Sequence, residues 1–563
     1  MAFIPVDRSQ LRMLPPSVDD YIGKDDLCRF VIKVVSLLDL RELYAAYSSQ
    51  GGDSYAPDMM LALWFYAYSL GIVRSRELED RCIYDLRFRY IAGDLHPDHT
   101  TLSRFRKEHL DLMKSYFLQI VELAQHNDIS KFKRIHIDGS RFQAKSSKRH
   151  NRTSDDLERQ LNRVREQIDE YMHLCDESDA ESQVMELPEN NVEEVKEKLN
   201  HLRELEKQLE ERQEQLEERK KSLKSEHRAK HQINLQEPEA RNMRTSHGNI
   251  LPAYNAQAAV DEDTNLIVAN DLVDETNDFN QFSPIHQQTE SILGKDETRQ
   301  YNADAGYHSL EQLEYAHQNG VDLVMNDPAP QSRSLSKEPT SKEKLLEDNR
   351  ALKRSDFGYD EQGDYYRCPA GQRLVFIEHL KATTRRGARK LYQAETSCRG
   401  CLFFKRCMPK NSKSDRRRIV RDIREKYAED LARRLLSEDS QHRLKKRMTT
   451  NEPVFGNLKS NLKFQRFCLK GLLQSGGEYQ LLCIAHNLSV LHRLITTKLR
   501  KPFMELSYVL LRLWQLSLTA SKTFSKTITA IPKRSRLNFV RYLNFCQFPL
   551  QIPLVNPNLQ QPL

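Results

Sequence analysis

The chain has 563 residues, 39% of them hydrophobic and 30% charged, with a formal net charge of +7. This is length for roughly two to four domains with real cores, and the composition excludes a disordered or fibrous protein. No run approaches the ~20 apolar residues that cross a bilayer, no apolar leader precedes a cleavage site, and the scattered Cys28, Cys82, Cys175, Cys468, Cys483 and Cys546 are no secreted disulfide framework, so a cytoplasmic protein without membrane contact is expected.

Residues 1–125 read as a helical N-terminal domain. The run from Asp58 to Leu70 is apolar nearly all round, the pattern of a buried helix rather than a cofactor box. Cap residues from Pro97 to Thr101 then precede a helix carrying Arg104, Arg106 and Lys107. A helix ending at Gly93, a turn and this basic helix fit either a helix-turn-helix reader of DNA or an ordinary helical pair with a basic outer face.

Ile135 and Ile137 alternate with polar residues and predict a short strand that ends at Asp138, within a segment 130–150. Two helical runs follow over 151–235. Leu157, Leu161, Val164 and Ile168 keep a three/four spacing, and Val195, Leu202, Leu209, Leu216 and Leu223 recur at sevens. The acidic stretch between them lets the pair fold back as an antiparallel coiled-coil arm inserted into a domain, with Glu206, Gln213 and Lys220 weakening the second helix as a zipper. The arm serves either as a dimer contact or as packing on its own domain or on DNA.

Strand patterning resumes over 240–330. A hairpin is predicted from residues 249–260 and 266–273, a helix over 282–293, a strand over 298–303 that delivers Asp304, a helix over 310–318 and a strand over 321–325. Residues 331–420 open with a polar linker and read as a strand-poor, cysteine-bearing insert. Cys368, Cys398, Cys401 and Cys407 can supply four thiolates to a structural Zn2+, or can remain reduced and pack a small core.

Within 421–495, the stretch from Arg447 to Lys459 is basic and apolar but for a lone acid, Glu452. Between Lys405 and Lys470 stand twenty Lys or Arg against eight Asp or Glu, which fits either a polyanion partner or a solvated face. Asn451 reads as an N-cap, with Glu452 and Pro453 in the first turn and Lys459 two turns along the same face. That arrangement suits metal-assisted phosphate chemistry or a dipole-stabilising cap beside a solvated lysine. Apolar helices follow, with His486 and Asn487 expected at a polar edge, and 496–563 form a basic tail.

The blocks Ile-His-Ile-Asp138-Gly-Ser, Tyr254 to Asp261, Tyr301-Asn-Ala-Asp304-Ala-Gly-Tyr307 and Glu452-Pro-Val-Phe-Gly-Asn-Leu-Lys459 together resemble the DDE transposases of bacterial insertion sequences. Tyr366 to Gly371 and the Cys398 to Cys407 cluster resemble the cysteine-bearing insert of one branch of that group. The resemblance covers about residues 1–495, and the order of the blocks is more specific than any one of them. It implies an α+β multidomain protein with a ribonuclease H-like mixed-sheet catalytic core, interrupted by the arm and the insert. Asp138, Asp304 and Glu452 are then the ligands of Mg2+ or Mn2+, with Arg447 and Lys459 contacting DNA and Arg104, Arg106 and Lys107 binding the element's ends. Related enzymes carry a tyrosine three residues before the arginine, where this chain has Leu444.

The expected reaction is metal-dependent cleavage at the element's terminal inverted repeats and transfer of the 3'-hydroxyl into target DNA, by a homodimer. Competing expectations are a repressor or architectural DNA-binding protein without catalysis, and a nuclease that cuts without joining.

Overall fold

The computed structural model describes residues 17–47, 54–181, 190–221, 231–245, 248–330, 333, 335–382, 387–409 and 414–498. The tail beyond 498, Leu223 and the centre of the stretch joining the two arm helices lie outside the described residues. No helix among those described is long and apolar enough to cross a membrane.

The protein is α+β, with a helical N-terminal region and a mixed sheet. Helices span Leu27–Val35, Arg41–Ala45, Pro57–Ser69, Ser75–Tyr84, Leu86–Ala92, His99–Glu108 and Met113–His126. Their starts follow local chemistry: Asp26 caps the Cys28 N–H at 3.0 Å, Pro57 occupies a first-turn position, and Asp98 caps Thr100 and Thr101. Pro57–Ser69 is buried all round because neighbouring helices and the long Leu472–Lys498 helix enclose it. One continuous apolar core joins this region to the sheet.

The strands are β1 (Arg134–Gln143), β2 (Asn151–Arg152), β3 (Ile233–Asn234), β4 (Arg241–Arg244), β5 (Ile250–Asp261), β6 (Ile267–Val273), β7 (Gln300–Ala303) and β8 (Asp322–Met325). β1 pairs antiparallel with β5 on one side and parallel with β7 on the other, and β8 continues the parallel part. β4 and β6 share the far edge of β5. The antiparallel half is a set of hairpin returns, whereas the parallel half needs crossovers, supplied by the helices Phe282–Leu293 and Leu310–Gln318. β1 does not stop at Asp138 as expected. It runs on to Gln143 because β5 pairs with it along its whole length, placing Asp138 mid-strand.

The helices Ser154–Glu181 and Asn190–Lys221 run antiparallel, and the short β2–β3 ribbon closes their base. Leu157, Leu161, Val164 and Ile168 meet Leu209 and Leu216 along the seam. Arg165 reaches Glu206 at 2.7 Å and Glu210 at 2.5 Å. Exposed pairs of this kind contribute at most about 1 kcal/mol, so the leucine seam dominates.

The cysteine-bearing segment is not strand-poor. It forms a five-stranded antiparallel sheet of β9 (Gly358–Asp360), β10 (Tyr365–Arg367), β11 (Arg373–Leu380), β12 (Arg389–Ala394) and β13 (Arg418–Asp422). Its strands are short or charged on their open face, which masks the alternation. Arg421 pairs with Glu429 at 2.5 Å, and Arg354 with Glu425 at 2.6 Å, tying this sheet to the helix Glu425–Arg434.

His486 and Asn487 are buried, not at a polar edge. Asn487 exchanges two hydrogen bonds with the Ile267 backbone, and His486 bonds the Asn265 carbonyl at 2.9 Å, so both satisfy backbone groups at the start of β6.

Candidate active site

Two acids stand where β7 ends, close enough that the Asp304 charge helps to raise the Asp138 carboxyl. Ile137 is in register with Ala303, and the chain continues on one side to Asp138 within β1 and on the other to Asp304, the first residue past β7. Asp304 accepts the Gly306 N–H at 2.7 Å and caps the short turn Ala305–Tyr307, which fixes its backbone as the chain leaves the sheet.

A third acid, Asp278, comes in from the segment after β6 and is not among the residues expected from the sequence. Its Oδ1 accepts from Asn255 Nδ2 and Gln257 Nε2, each at 2.7 Å. Both donors lie on β5 opposite Arg141 and Gly139. A Cβ on Gly306 would fall 2.9 Å from Asp304 Oδ1 and 3.3 Å from Asp278 Oδ2. A Cβ on Gly139 would fall 2.8 Å from Asp278 Oδ1. The two glycines thus leave the space in which three carboxylates approach one another. The only sequence signal was negative: both acidic blocks carry a glycine one or two residues after the acid.

Burial pushes the Asp138 carboxyl up to about 7, the Arg447 guanidinium opposes the shift, and the charges of Asp304 and Asp278 add to it. Arg447 Nη1 donates to Asp138 Oδ2 at 3.5 Å. An acid held in this way accepts a cation readily, since neutralising it relieves both desolvation and repulsion. Hard oxygen donors of this kind fit Mg2+ or Mn2+. Among the described residues, however, no three Asp, Glu, His or Cys side chains already stand at ligand spacing.

Among the described residues, Glu452 does not complete a three-acid cluster at ligand spacing with the two aspartates. The helix that carries it begins fourteen residues earlier, at Glu438, where Ser437 caps the Ser440 N–H, and ends at Gly456. Asn451 is therefore no cap, and Glu452 and Pro453 lie near the end of the helix rather than at its start. Arg443 and Arg447 mark the face turned to the sheet. Arg443 is buried and holds Asp322 at 2.9 Å and Asn302 at 2.9 Å. Glu452 sits roughly 140° around the helix from Arg447, at about 100° per residue, and its side chain is exposed. Lys459 is not on a continuing face either, because a π-helical turn over Asn457–Asn461 re-aims it. Its Nζ donates to Ser140 Oγ at 2.7 Å and lies 4.9 Å from the Phe142 ring centroid. Burial pushes its ammonium down to about 8, Arg141 adds, and Asp138 opposes.

Arg106 does not face solvent as a DNA contact would. It is buried, donates to Tyr68 Oη at 2.8 Å and the Val73 carbonyl at 2.7 Å, and stacks over Trp64. Facing inward, it offsets the buried Glu478 at 4.0 Å. Arg104 and Lys107, on the same helix, are exposed. His136 is fully buried and bonded to Glu262 at 2.8 Å, a structural neighbour of Asp138.

The four cysteines of the small sheet are unbridged and pack against one apolar cluster. Burial pushes the Cys407 thiol up to about 11, with Arg417 opposing and the other three cysteines adding.

Two family models match the chain. One, described as a transposase DDE domain, matches residues 367–492, a span that includes Arg447, Glu452, Lys459 and the four cysteines but neither Asp138 nor Asp304. The other, described as a transposase domain (DUF772), matches residues 16–108, which include Arg104, Arg106 and Lys107. No curated protein and no solved structure matches.

Proposed function

From two family matches that support an insertion-sequence DDE transposase, we propose that the chain cleaves DNA at the ends of its element and joins the freed 3'-hydroxyl to target DNA. The observation that supports this reading is the parallel register of Ile137 with Ala303, each followed directly by an aspartate, Asp138 and Asp304. The strand order, three antiparallel strands followed by two parallel ones with acids at the junction, supports a ribonuclease H-like core.

Asp138 and Asp304 are the carboxylates that hold the divalent cation in this reading, with Glu452 the third ligand once its helix turns. Bound Mg2+ or Mn2+ supplies activation of the attacking hydroxyl and stabilisation of charge at phosphorus. The remaining roles fall to cations of the chain. Arg447, paired with Asp138 in the free protein, is released to a phosphate when that acid is neutralised. Lys459, anchored on Ser140, presents a second positive charge beside the same strand. Arg104 and Lys107 contact the terminal repeats. Synapsis of two ends calls for at least two copies, so a homodimer is part of the proposal.

The orientation of Glu452 favours one other reading, a DNA-binding protein without strand chemistry. A single assay separates the two. Incubated with Mg2+ and a duplex carrying an element end, a transposase yields nicked ends and strand-transfer products, and Glu452→Gln abolishes both while DNA binding persists. Binding with no cleavage product in the wild type would establish the second reading instead, and cleavage without joined product would leave a nuclease.

A further inference from the structure

The small sheet has nine buried hydrophobic residues among those described to hold five strands together. Domains with cores this limited commonly need a staple. Cys368, Cys398, Cys401 and Cys407 all line one cavity under the sheet, and none is in a disulfide.

The backbone around these cysteines is arranged for sulfur that carries negative charge. Gly371, at φ +92°, turns the chain after Cys368 so that the Gln372 N–H donates to Cys368 Sγ at 3.2 Å. A non-glycine residue would be strained at that φ. The Phe403 N–H donates to Cys401 Sγ at 3.4 Å, and the Arg417 N–H donates to Cys398 Sγ at 3.4 Å. A thiol is a weak acceptor, while a thiolate is a strong one and is the form that binds metal. Three amides from three separate segments aimed at sulfur are therefore an arrangement an apolar core does not require.

We propose that Cys368, Cys398, Cys401 and Cys407 hold one tetrahedral, thiolate-preferring divalent cation, zinc foremost, which staples the five-stranded sheet. Four thiolates and no open position make the site structural rather than catalytic. Uptake releases the thiol protons to solvent and draws the side chains inward, since the sulfurs are not at ligand spacing among the described residues as they stand. Because the sheet is ion-paired to the helix Glu425–Arg434, directly before the helix of Arg447 and Glu452, the staple steadies the approach of that helix to the main sheet. The proposal is independent of the DNA chemistry.

The test uses the full-length protein. Elemental analysis of the purified chain should give one zinc per chain, and exchange with Co2+ should produce thiolate-to-cobalt charge-transfer absorption with tetrahedral d–d bands. Cys398→Ser combined with Cys401→Ser should remove both signals. Should that variant fail to fold, alkylation of the wild type decides: chelator should raise labelling of these four cysteines by at least about tenfold and leave the buried Cys28 unchanged. Substoichiometric metal, no cobalt charge-transfer band, or labelling indifferent to chelator would overturn the assignment.

Discussion

Arg447 and Asp138, 309 residues apart in the chain, meet at 3.5 Å, and this guanidinium opposes the burial and repulsion that raise the acid. Replacing Arg447 by Met should therefore move the Asp138 titration above its present value of about 7. The pH midpoint for Mg2+ binding in the absence of DNA should rise with it, by about one unit. Isothermal titration across pH 6 to 9 reads this shift, and an unchanged midpoint would count against Asp138 as the proposed metal ligand.

The same raised pKa makes a stability prediction. The folded value, about 7, lies above the ordinary 3.8. The folded state thus binds the extra proton between those values, and its stability falls as pH rises through the window. Asp138→Asn should stabilise the metal-free protein by about 1–3 kcal/mol at pH 8 and by nothing measurable at pH 4. Denaturant melts at the two pH values check the sign. Stabilisation at pH 4 would contradict it.

Arg106 and its helix neighbours should separate cleanly. Arg106→Ala leaves Glu478 buried without its cation and should cost about 3–5 kcal/mol of stability. Arg104→Ala with Lys107→Ala should leave the melting temperature within about 2 °C and weaken binding to element ends, with a shallower salt dependence. Melting curves beside a mobility-shift titration test both halves.

Gly306→Ala places a methyl 2.9 Å from Asp304 Oδ1 and 3.3 Å from Asp278 Oδ2. If Asp304 is a metal ligand as proposed, it should reduce cleavage by at least about tenfold through displacement of that carboxylate, with global stability changed by less than about 2 kcal/mol. Single-turnover cleavage alongside a melt distinguishes this from unfolding.

Much of the main sheet was legible because its chemistry is local. The β5–β6 hairpin is two strand runs either side of a polar turn, and the segment Leu310–Gln318 keeps helical spacing after its Ser309 cap, so these elements followed from neighbours in sequence. Glu452 misled for the complementary reason. Asn451 and Pro453 are good start signals, yet Ser437, Glu438 and Asp439 start the helix earlier, Arg443 holds it to β7 and β8, and Pro453 lies inside it. Arg106 could not be placed, since its burial depends on Glu478, which arrives from the last described helix. Asp278 lies in a polar loop with no periodicity, and only the folding of β5 beside it brings Asn255 and Gln257 to its carboxylate.

The central claim is that Asp138 and Asp304 form one metal-dependent site for DNA strand chemistry. The most direct measurement is Mg2+-dependent cleavage of an end-bearing duplex by the wild type, Asp138→Asn and Asp304→Asn, with binding to the same duplex measured in parallel. The account predicts cleavage by the wild type only, with all three proteins binding DNA within about threefold of one another. Cleavage by either variant at the wild-type rate would contradict it.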